Sequence, residues 1–315
     1  MIPGAGSARR SLVVPAGQAP RRLDVFVSAQ SARISRAAAQ RWIDRGLVAV
    51  NGRRTKAARR IRPGDVITWP GVARQRRPIE PEAVPLDVIY EDTTLLVVDK
   101  PRGIVMHPTD GRRTGTLLNR LVHHLGEPRD PGAAIAARAG LVHRLDRGTS
   151  GVIVVAKTAA IHRELARQFR AHSVHRVYLA LVAGAVRRGG VIDQPIGRDL
   201  RDRRHVSVRS AAPRRAVTEI RVAERLGAAA TLVEARPRTG RMHQIRVHLA
   251  SIGHPVLGDA RYGAAEPDLD HPMLHAATLG FQHPATGEYV EYHAAIPADM
   301  ADAIAVRRPG RAGSA

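Results

Sequence analysis

The stretch His143-Arg144-Leu145-Asp146-Arg147-Gly148-Thr149-Ser150-Gly151 runs straight into Val152-Ile153-Val154-Val155-Ala156-Lys157. The second half is an apolar, β-branched run that reads as a buried strand. The first half places a carboxylate in a glycine-containing turn just ahead of it. A core strand fixes where such a carboxylate stands, and the small residues around it let other parts of the chain approach closely. Taken alone, Asp146 has a plainer and commoner reading, an aspartate that caps a turn.

Two further stretches change the weight of that reading. Arg176-Val177-Tyr178-Leu179-Ala180-Leu181-Val182-Ala183-Gly184 alternates as a strand, with Val177, Leu179 and Leu181 on one face and Tyr178 on the other. By itself, Tyr178 reads as a core tyrosine with a satisfied hydroxyl. Arg238-Thr239-Gly240-Arg241-Met242-His243-Gln244-Ile245-Arg246-Val247-His248-Leu249 continues through Gly253-His254-Pro255-Val256-Leu257-Gly258-Asp259 to Tyr262-Gly263. The spacing predicts a helix capped by Thr239 and stopped at Gly253, before Pro255. Met242, Ile245, Leu249 and Ile252 form its apolar stripe, with His243, Arg246 and Ala250 on a neighbouring one. Arg246 then stands at the edge of the core, where it can reach into a cleft and pair with a partly buried carboxylate. A surface arginine is the blander alternative.

Around these stretches the pattern is mixed. Strands are expected at 95–99, 152–156, 177–183 and 231–236. A helix is expected at 159–170, where Ile161, Leu165 and Phe169 recur every fourth residue. Together they delimit one domain over 86–300. Residues 301–315 read as a disordered tail and 71–85 as a linker.

The N-terminal quarter differs in charge. The chain has 315 residues with 50 Lys+Arg against 28 Asp+Glu, a net charge of +22. Residues 1–80 hold 17 Lys/Arg and 4 Asp/Glu, so more than half of that excess lies there. This marks a binding module for a polyanion, attached to a more balanced body. Residues 1–20 are rich in Gly, Ala and Pro and are expected to be disordered. Residues 21–70 read as a compact unit. Its helix over 36–45 is capped by Ser35 and stopped by Gly46, with Ala38, Ala39, Trp42 and Ile43 on one face. Leu47-Val48-Ala49-Val50 and Asn51-Gly52 follow as a strand and a tight hairpin turn. Pro63-Gly64-Asp65 then turns the chain into a last strand at 66–69.

Several classes fall away. With no cysteine, the chain has no disulfide, thiolate metal site or cysteine nucleophile. No apolar run approaches the ~20 residues of a membrane span. The short patch 12–14 after Arg9-Arg10 is no secretory core, so the expected compartment is the cytoplasm. His243 and His248 lie five apart, not at the four-residue spacing of a helical zinc pair, so no metal is expected. No phosphate-cradling glycine loop and no serine elbow is present.

Residues 21–70 resemble an S4 RNA-binding domain, on Arg22-Leu23-Asp24, Ser35-Arg36, the 46–52 stretch and Pro63-Gly64-Asp65-Val66-Ile67. Residues 86–297 resemble the RluA family of RNA pseudouridine synthases. That likeness is carried by the His-Arg-Leu-Asp stretch, the Tyr178 strand and the Arg238–Leu249 segment in order. It is supported by Val98-Asp99-Lys100-Pro101 with Gly103 and His107-Pro108, and by Leu274-His275-Ala276. Arg147 and Arg176 stand where lysine is common and keep the charge. The resemblance implies an α+β fold: a small α/β S4-like domain, then a mixed β-sheet catalytic domain with a central active-site cleft. It implies an isomerase that turns specific uridines of structured RNA into pseudouridine without cofactor or metal. Asp146 would be the nucleophile, Arg246 its ion-pair partner and Tyr178 the ring that stacks on the flipped uracil and assists proton removal from C5. Arg144, Leu274 and His243 would bind substrate. Arg33, Arg36, Arg41, Arg45, Arg53 and Arg54 would contact RNA phosphates. An S4 domain ahead of such a domain favours 23S rRNA, free or in ribosomal precursor particles, handled by a monomer. The alternatives are tRNA as substrate, or a non-catalytic RNA-binding or ribosome-assembly factor on the same scaffold.

Overall fold

The computed structural model describes residues 9–30, 34–70, 79–109, 111–126, 140–202, 205–263 and 266–309. The chain forms two compact units that divide between Arg77 and Pro78.

The first unit contains β1 (Arg9–Val13), β2 (Arg21–Arg22), α1 (Leu23–Ala29), α2 (Arg36–Asp44), β3 (Ala49–Val50), β4 (Arg53–Arg54), β5 (Arg60–Ile61) and β6 (Val66–Pro70). Ser35 caps α2 by accepting from the Ala38 N–H. Asn51 and Gly52 both adopt positive φ, 50° and 73°, which sets the β3–β4 hairpin with its right-handed twist. Leu23, Val27, Ile43, Val48 and Ile67 form its core, each 0–2% exposed. Arg9–Val13 was expected to be disordered. It pairs instead along the whole of β6, whose edge would otherwise stay open. Residues 1–8 of that expected segment lie outside the described residues.

The second unit is built on one long mixed sheet. Its elements are β7 (Asp87–Glu91), β8 (Leu95–Lys100), α3 (Leu117–Leu125), β9 (Ser150–Ala156), α4 (Ala159–Ala171), β10 (His175–Ala183) and β11 (Gly190–Asp193). They continue with β12 (Gly197–Arg198), β13 (Val206–Ser207), β14 (Val217–Leu226), β15 (Ala230–Pro237), α5 (Gln244–Ser251), β16 (Leu274–Gln282), β17 (Tyr289–His293) and α6 (Ala298–Arg307). The strand order is β11-β14-β15-β10-β16-β9-β8-β7, with β17 alongside β16. The β9–β16 pair is parallel and only two residues long, His275 with Ser150 and Ala276 with Gly151. The remaining pairs of this sheet are antiparallel, so two half-sheets meet at a short seam. Gly151 sits in the seam at φ +116°, and a Cβ there would stand 2.2 Å from the Ala276 carbonyl oxygen. Only glycine lets the halves close this tightly.

The structure revises three more expectations. The helix expected from Thr239 begins at Gln244, because the Thr239 hydroxyl is bonded to the Gln244 side chain and to the Val217 N–H of β14. Ile245 and Leu249 of its apolar stripe are buried, whereas Met242 and Ile252 fall outside α5 and are more than one-third exposed. The expected tail at 301–315 begins as helix. In α6, Met300, Ala303 and Ile304 bury themselves in the core. Part of the expected linker is anchored as well, since the Glu82 side chain accepts from the Gly115 N–H and the Glu80 carbonyl accepts from Asn119. Residues 71–78 lie outside the described residues.

Candidate active site

A cleft of about 360 Å³ opens at the seam of the two half-sheets. Asp146, Arg144, Tyr178, His243, Arg246 and Leu274, separated by up to 130 residues in the chain, all line it. Three elements bring the chemistry together: the turn before β9, the strand β10 and the start of α5.

Asp146 begins the turn, which is closed by the Thr149 N–H donating to the Asp146 carbonyl at 3.1 Å. The turn is gripped from two sides. On one side, the Gly103 N–H donates to the Arg147 carbonyl and Arg147 Nε donates back to the Gly103 carbonyl, at 2.9 and 3.0 Å. The fully buried Lys100 donates to the Thr149 and Pro101 carbonyls at 2.8 and 2.9 Å. Burial pushes its ammonium down to about 8, against the pull of Asp146 and Asp99. On the other side, Pro272 packs so closely that a Cβ on Gly148 would stand 2.8 Å from it. Both sides lead to one carboxylate. Asp299, in the first turn of α6, pairs with Arg102 next to the first grip and with His271 next to the second, the latter at 2.8 Å.

Arg246 faces two carboxylates. Its Nε and Nη2 donate to Asp259 at 2.7 Å each, a two-bond fork, and its Nη1 donates to Asp146 Oδ2 at 3.1 Å. Burial alone would weaken the charged guanidinium, but Asp259 and Asp146 more than offset this and hold it firmly protonated. The Tyr262 ring lies under the guanidinium, 5.0 Å from its central carbon. Tyr262 also meets His243 Nδ1 at 2.6 Å while its oxygen accepts from the Val206 N–H. Burial pushes the His243 imidazole down against the pull of Asp146, so the ring is neutral at pH 7. A neutral ring that accepts the Tyr262 proton at Nδ1 carries its own hydrogen on Nε2, which lies 3.7 Å from Asp146 Oδ2. His243 reaches this position through a left-handed backbone, φ 56°, the kind of local strain found at functional sites.

Tyr178 projects into the cleft from β10, where the register against β16 shifts between Val177 and Tyr178. Such a bulge re-aims a side chain. Burial pushes its phenol up, Arg176 partly counters this and Asp146 adds to the rise. Leu274 is 3% exposed and forms apolar wall. Arg144 is exposed at the rim, with no hydrogen-bond partner among the described residues. His143, next to it, stacks on Phe169 with ring centroids 4.6 Å apart and accepts from the Val154 N–H. Burial, reinforced by Arg176, pushes its imidazole down to about 3, so it is a neutral wall group.

In the first unit, Arg36, Arg41, Arg45, Arg53 and Arg54 are all exposed. Arg33 lies outside the described residues. Residue spacing does not single out Asp24. Its enclosed carboxylate accepts from Arg22, Arg36 and Gln40 at 2.8–3.1 Å and fixes two of the arginines that face solvent. Spacing also passes over Asp259 and Tyr262 as site residues, although both stand in the quoted stretch after α5. The close glycines at 258 and 263 were the available signal.

Comparison with known proteins identifies the family. A family model described as RNA pseudouridylate synthase matches residues 94–251, and an S4 domain model matches 21–67. The chain is 43% identical over 289 residues to an uncharacterized RNA pseudouridine synthase, YlyB, of Bacillus subtilis, covering 91% of this chain and 94% of that one. It is 40% identical over 300 residues to ribosomal large subunit pseudouridine synthase D of Vibrio cholerae, covering 90% of each. Among solved structures it resembles human RNA pseudouridylate synthase domain containing 1. The TM-score is 0.55 and the identity 31%, over 69% of this chain and 86% of that one. On sequence, fold and site together, the chain belongs to the RNA pseudouridine synthases, isomerases of uridine in RNA, and carries an S4 domain ahead of the catalytic one.

Proposed function

We propose that this enzyme isomerises uridines of large-subunit ribosomal RNA, with Asp146 as nucleophile. The observation that carries the reading is the state of the Asp146 carboxylate. Asp146 lines the cleft; its Oδ2 is held by Arg246, while Oδ1 accepts no hydrogen bond among the described residues. A carboxylate oriented through one oxygen and open at the other is poised to attack. Asp146 bonds to the ribose carbon as the bond from that carbon to uracil N1 breaks. The base turns, C5 joins the same carbon as the bond to Asp146 breaks, and one proton is lost at C5 and one gained at N1, so that the carboxylate is regenerated. Arg246 stabilises the ionised Asp146 before attack and when it leaves.

Tyr178 stacks on the flipped uracil. Its upward-shifted phenol stays neutral at pH 7, which suits stacking and hydrogen bonding better than action as a phenolate base. Leu274 closes the apolar side of the pocket, which keeps water from the detached base. Arg144, free at the rim, occupies the gap that the base leaves in the RNA. His243 binds substrate through its Nε2 hydrogen. The exposed arginines of the first unit hold RNA phosphates, which supplies affinity and salt dependence rather than sequence choice. The relatives named for the large ribosomal subunit support the choice of RNA. RNA is the one partner proposed, bound by a monomer in the cytoplasm. No helix among the described residues is long and apolar enough to cross a membrane.

The test is pseudouridine mapping across cellular RNA in a deletion strain complemented with wild type or Asp146→Ala. Large-subunit sites lost on deletion and restored only by wild type are expected. With the mapped RNA carrying 5-fluorouridine, wild type should form a stable adduct. An equal adduct with Asp146→Ala would remove Asp146 from its role.

A further inference from the structure

Arg176 lies two residues before Tyr178 on β10 and lines the same cleft. Its Nη2 donates to the Pro237 carbonyl at 3.0 Å. Its Nε is buried and bonds to nothing, and Arg176 forms no ion pair among the described residues. Buried, unbonded Nε atoms also occur on Arg102, Arg120 and Arg236, but none of these lines the cleft, and Arg102 and Arg236 have a carboxylate partner, as does Arg246 inside it. A guanidinium drawn out of water with one carbonyl for company is costly unless an anion arrives. Asp146, the one carboxylate lining the cleft among the described residues, is already taken by Arg246.

Two more basic side chains stand beside Arg176 on this wall. His172 ends α4 in a left-handed conformation, φ 58°, and Arg241 follows Gly240 in the approach to α5. Burial, then the fields of Arg176 and Arg241, push the His172 imidazole down, so the ring is neutral at pH 7. Gly240 has no side chain to fill the space next to Arg176 Nη1. Along a strand, residues two apart lie ~7 Å from each other, comparable to the reach from a nucleobase to its own phosphate.

We propose that Arg176, with Arg241 and His172 beside it, binds a backbone phosphate next to the target uridine. The proposal rests on the reading of this cleft as the uridine pocket. A phosphate oxygen would accept from the unbonded Nε and from Nη1, so that Tyr178 takes the base while Arg176 takes the phosphate of the same strand. The cleft would thereby select a nucleotide within RNA over a free base or nucleoside.

The test uses the full chain and a short RNA containing the mapped uridine, either native or with a neutral methylphosphonate at the phosphate 5′ or 3′ to it. Arg176→Gln should weaken binding of native RNA 10- to 100-fold, the range of a charge-assisted hydrogen bond. Wild type should lose a similar factor on one of the methylphosphonate RNAs. Arg176→Gln should lose nothing further on that RNA. The dependence on salt should flatten by about 0.7 in log–log slope. Arg176→Lys should keep the wild-type slope, and it replaces Gln in the cycle if that variant does not fold, with its loss confined to the same phosphate. Additive losses at both phosphates, or unchanged affinity with a lowered melting temperature, would overturn the site and leave Arg176 as a structural group. The 5-fluorouridine adduct at saturating RNA separates the two readings. If wild type and Arg176→Gln both form it while the cycle is additive, the phosphate site fails and the uridine pocket stands. If neither forms it, the pocket reading itself has failed and the phosphate site falls with it.

Discussion

Arg246 meets Asp146 with a single hydrogen bond, 3.1 Å from Nη1 to Oδ2, and keeps its two shorter bonds for Asp259. The asymmetry has a chemical use. A fork on Asp146 would tie up both oxygens and make the carboxylate a poor nucleophile. A fork on Asp259, which is 1% exposed, fixes the guanidinium plane and leaves one nitrogen to orient Asp146. Asp259 is therefore a positioning residue that acts through Arg246.

Asp259→Asn should show this. One fork bond becomes poor and a buried charge loses its partner, which costs about 3 kcal/mol of stability. Arg246 becomes free to turn towards Asp146, and adduct formation should slow about 100-fold, the scale of a misplaced reacting group. RNA affinity should stay near wild type. Denaturant titration and single-turnover kinetics check the two effects separately.

The last helix should matter for catalysis. Asp299 ties together both grips on the 146–149 turn, through Arg102 and through His271. In Asp299→Ala, Arg102, 9% exposed, is left without its carboxylate. Since Asp299 itself is 44% exposed, a stability loss of about 1–2 kcal/mol is expected rather than the full buried-pair cost. Adduct formation should slow about tenfold with RNA affinity unchanged, and Asp299→Glu should recover most of it. A wild-type rate in a folded Asp299→Ala would show that α6 serves packing alone.

Asp99 makes a pH prediction. It stands half-buried across from Asp87 on the neighbouring strand, and burial, then Asp87, push its carboxyl up to about 6. Because the folded state holds this proton more tightly than the unfolded chain, ionising Asp99 destabilises the fold. Stability should fall as pH rises from about 4 to about 6 and stay lowered above that. Asp99→Asn should gain about 1 kcal/mol at pH 7.5, after allowance for solvent screening, and nothing at pH 4. Urea midpoints of the two proteins across that range test it, and a constant difference would assign the effect to packing.

Asp24 should control the first unit's grip on RNA. Hydrogen bonds from Arg22, and from Arg36 and Gln40, hold its carboxyl far below the usual range despite burial. Its contribution is present at neutral pH and is lost as pH falls below the ordinary carboxylate value. Asp24→Asn should release both arginines, weaken RNA binding about 3- to 10-fold and leave the adduct rate at saturating RNA unchanged. A filter-binding isotherm against a single-turnover rate separates these.

Short-range features are legible in the order of residues. The Asn51-Gly52 turn, the Ser35 cap and the buried run after Asp146 are each decided within a few residues by backbone sterics and hydrogen bonding. The same local logic misplaces the start of α5. Thr239 is a good cap, but its hydroxyl is engaged by Gln244 and by Val217 of β14, a strand that spacing around Thr239 does not reveal. It also misreads 9–13 and 301–307, since neither segment has a partner until β6 and the catalytic core are folded.

The sequence by itself determined which side chains to propose for the chemistry: Asp146 in a tight turn before a core strand, Tyr178 on a β face, and Arg246 near a helix start. Resemblance in motif and order then told what that chemistry is. Only the tertiary structure decided how those groups are held. Asp259 takes the fork of Arg246, Asp299 braces the Asp146 turn from 153 residues away, and Arg176 lines the cleft without a counter-charge among the described residues. Periodicity reports which face of an element is buried. It does not report which charge meets which across a seam of two half-sheets, because that depends on how the elements pack and on the water they exclude.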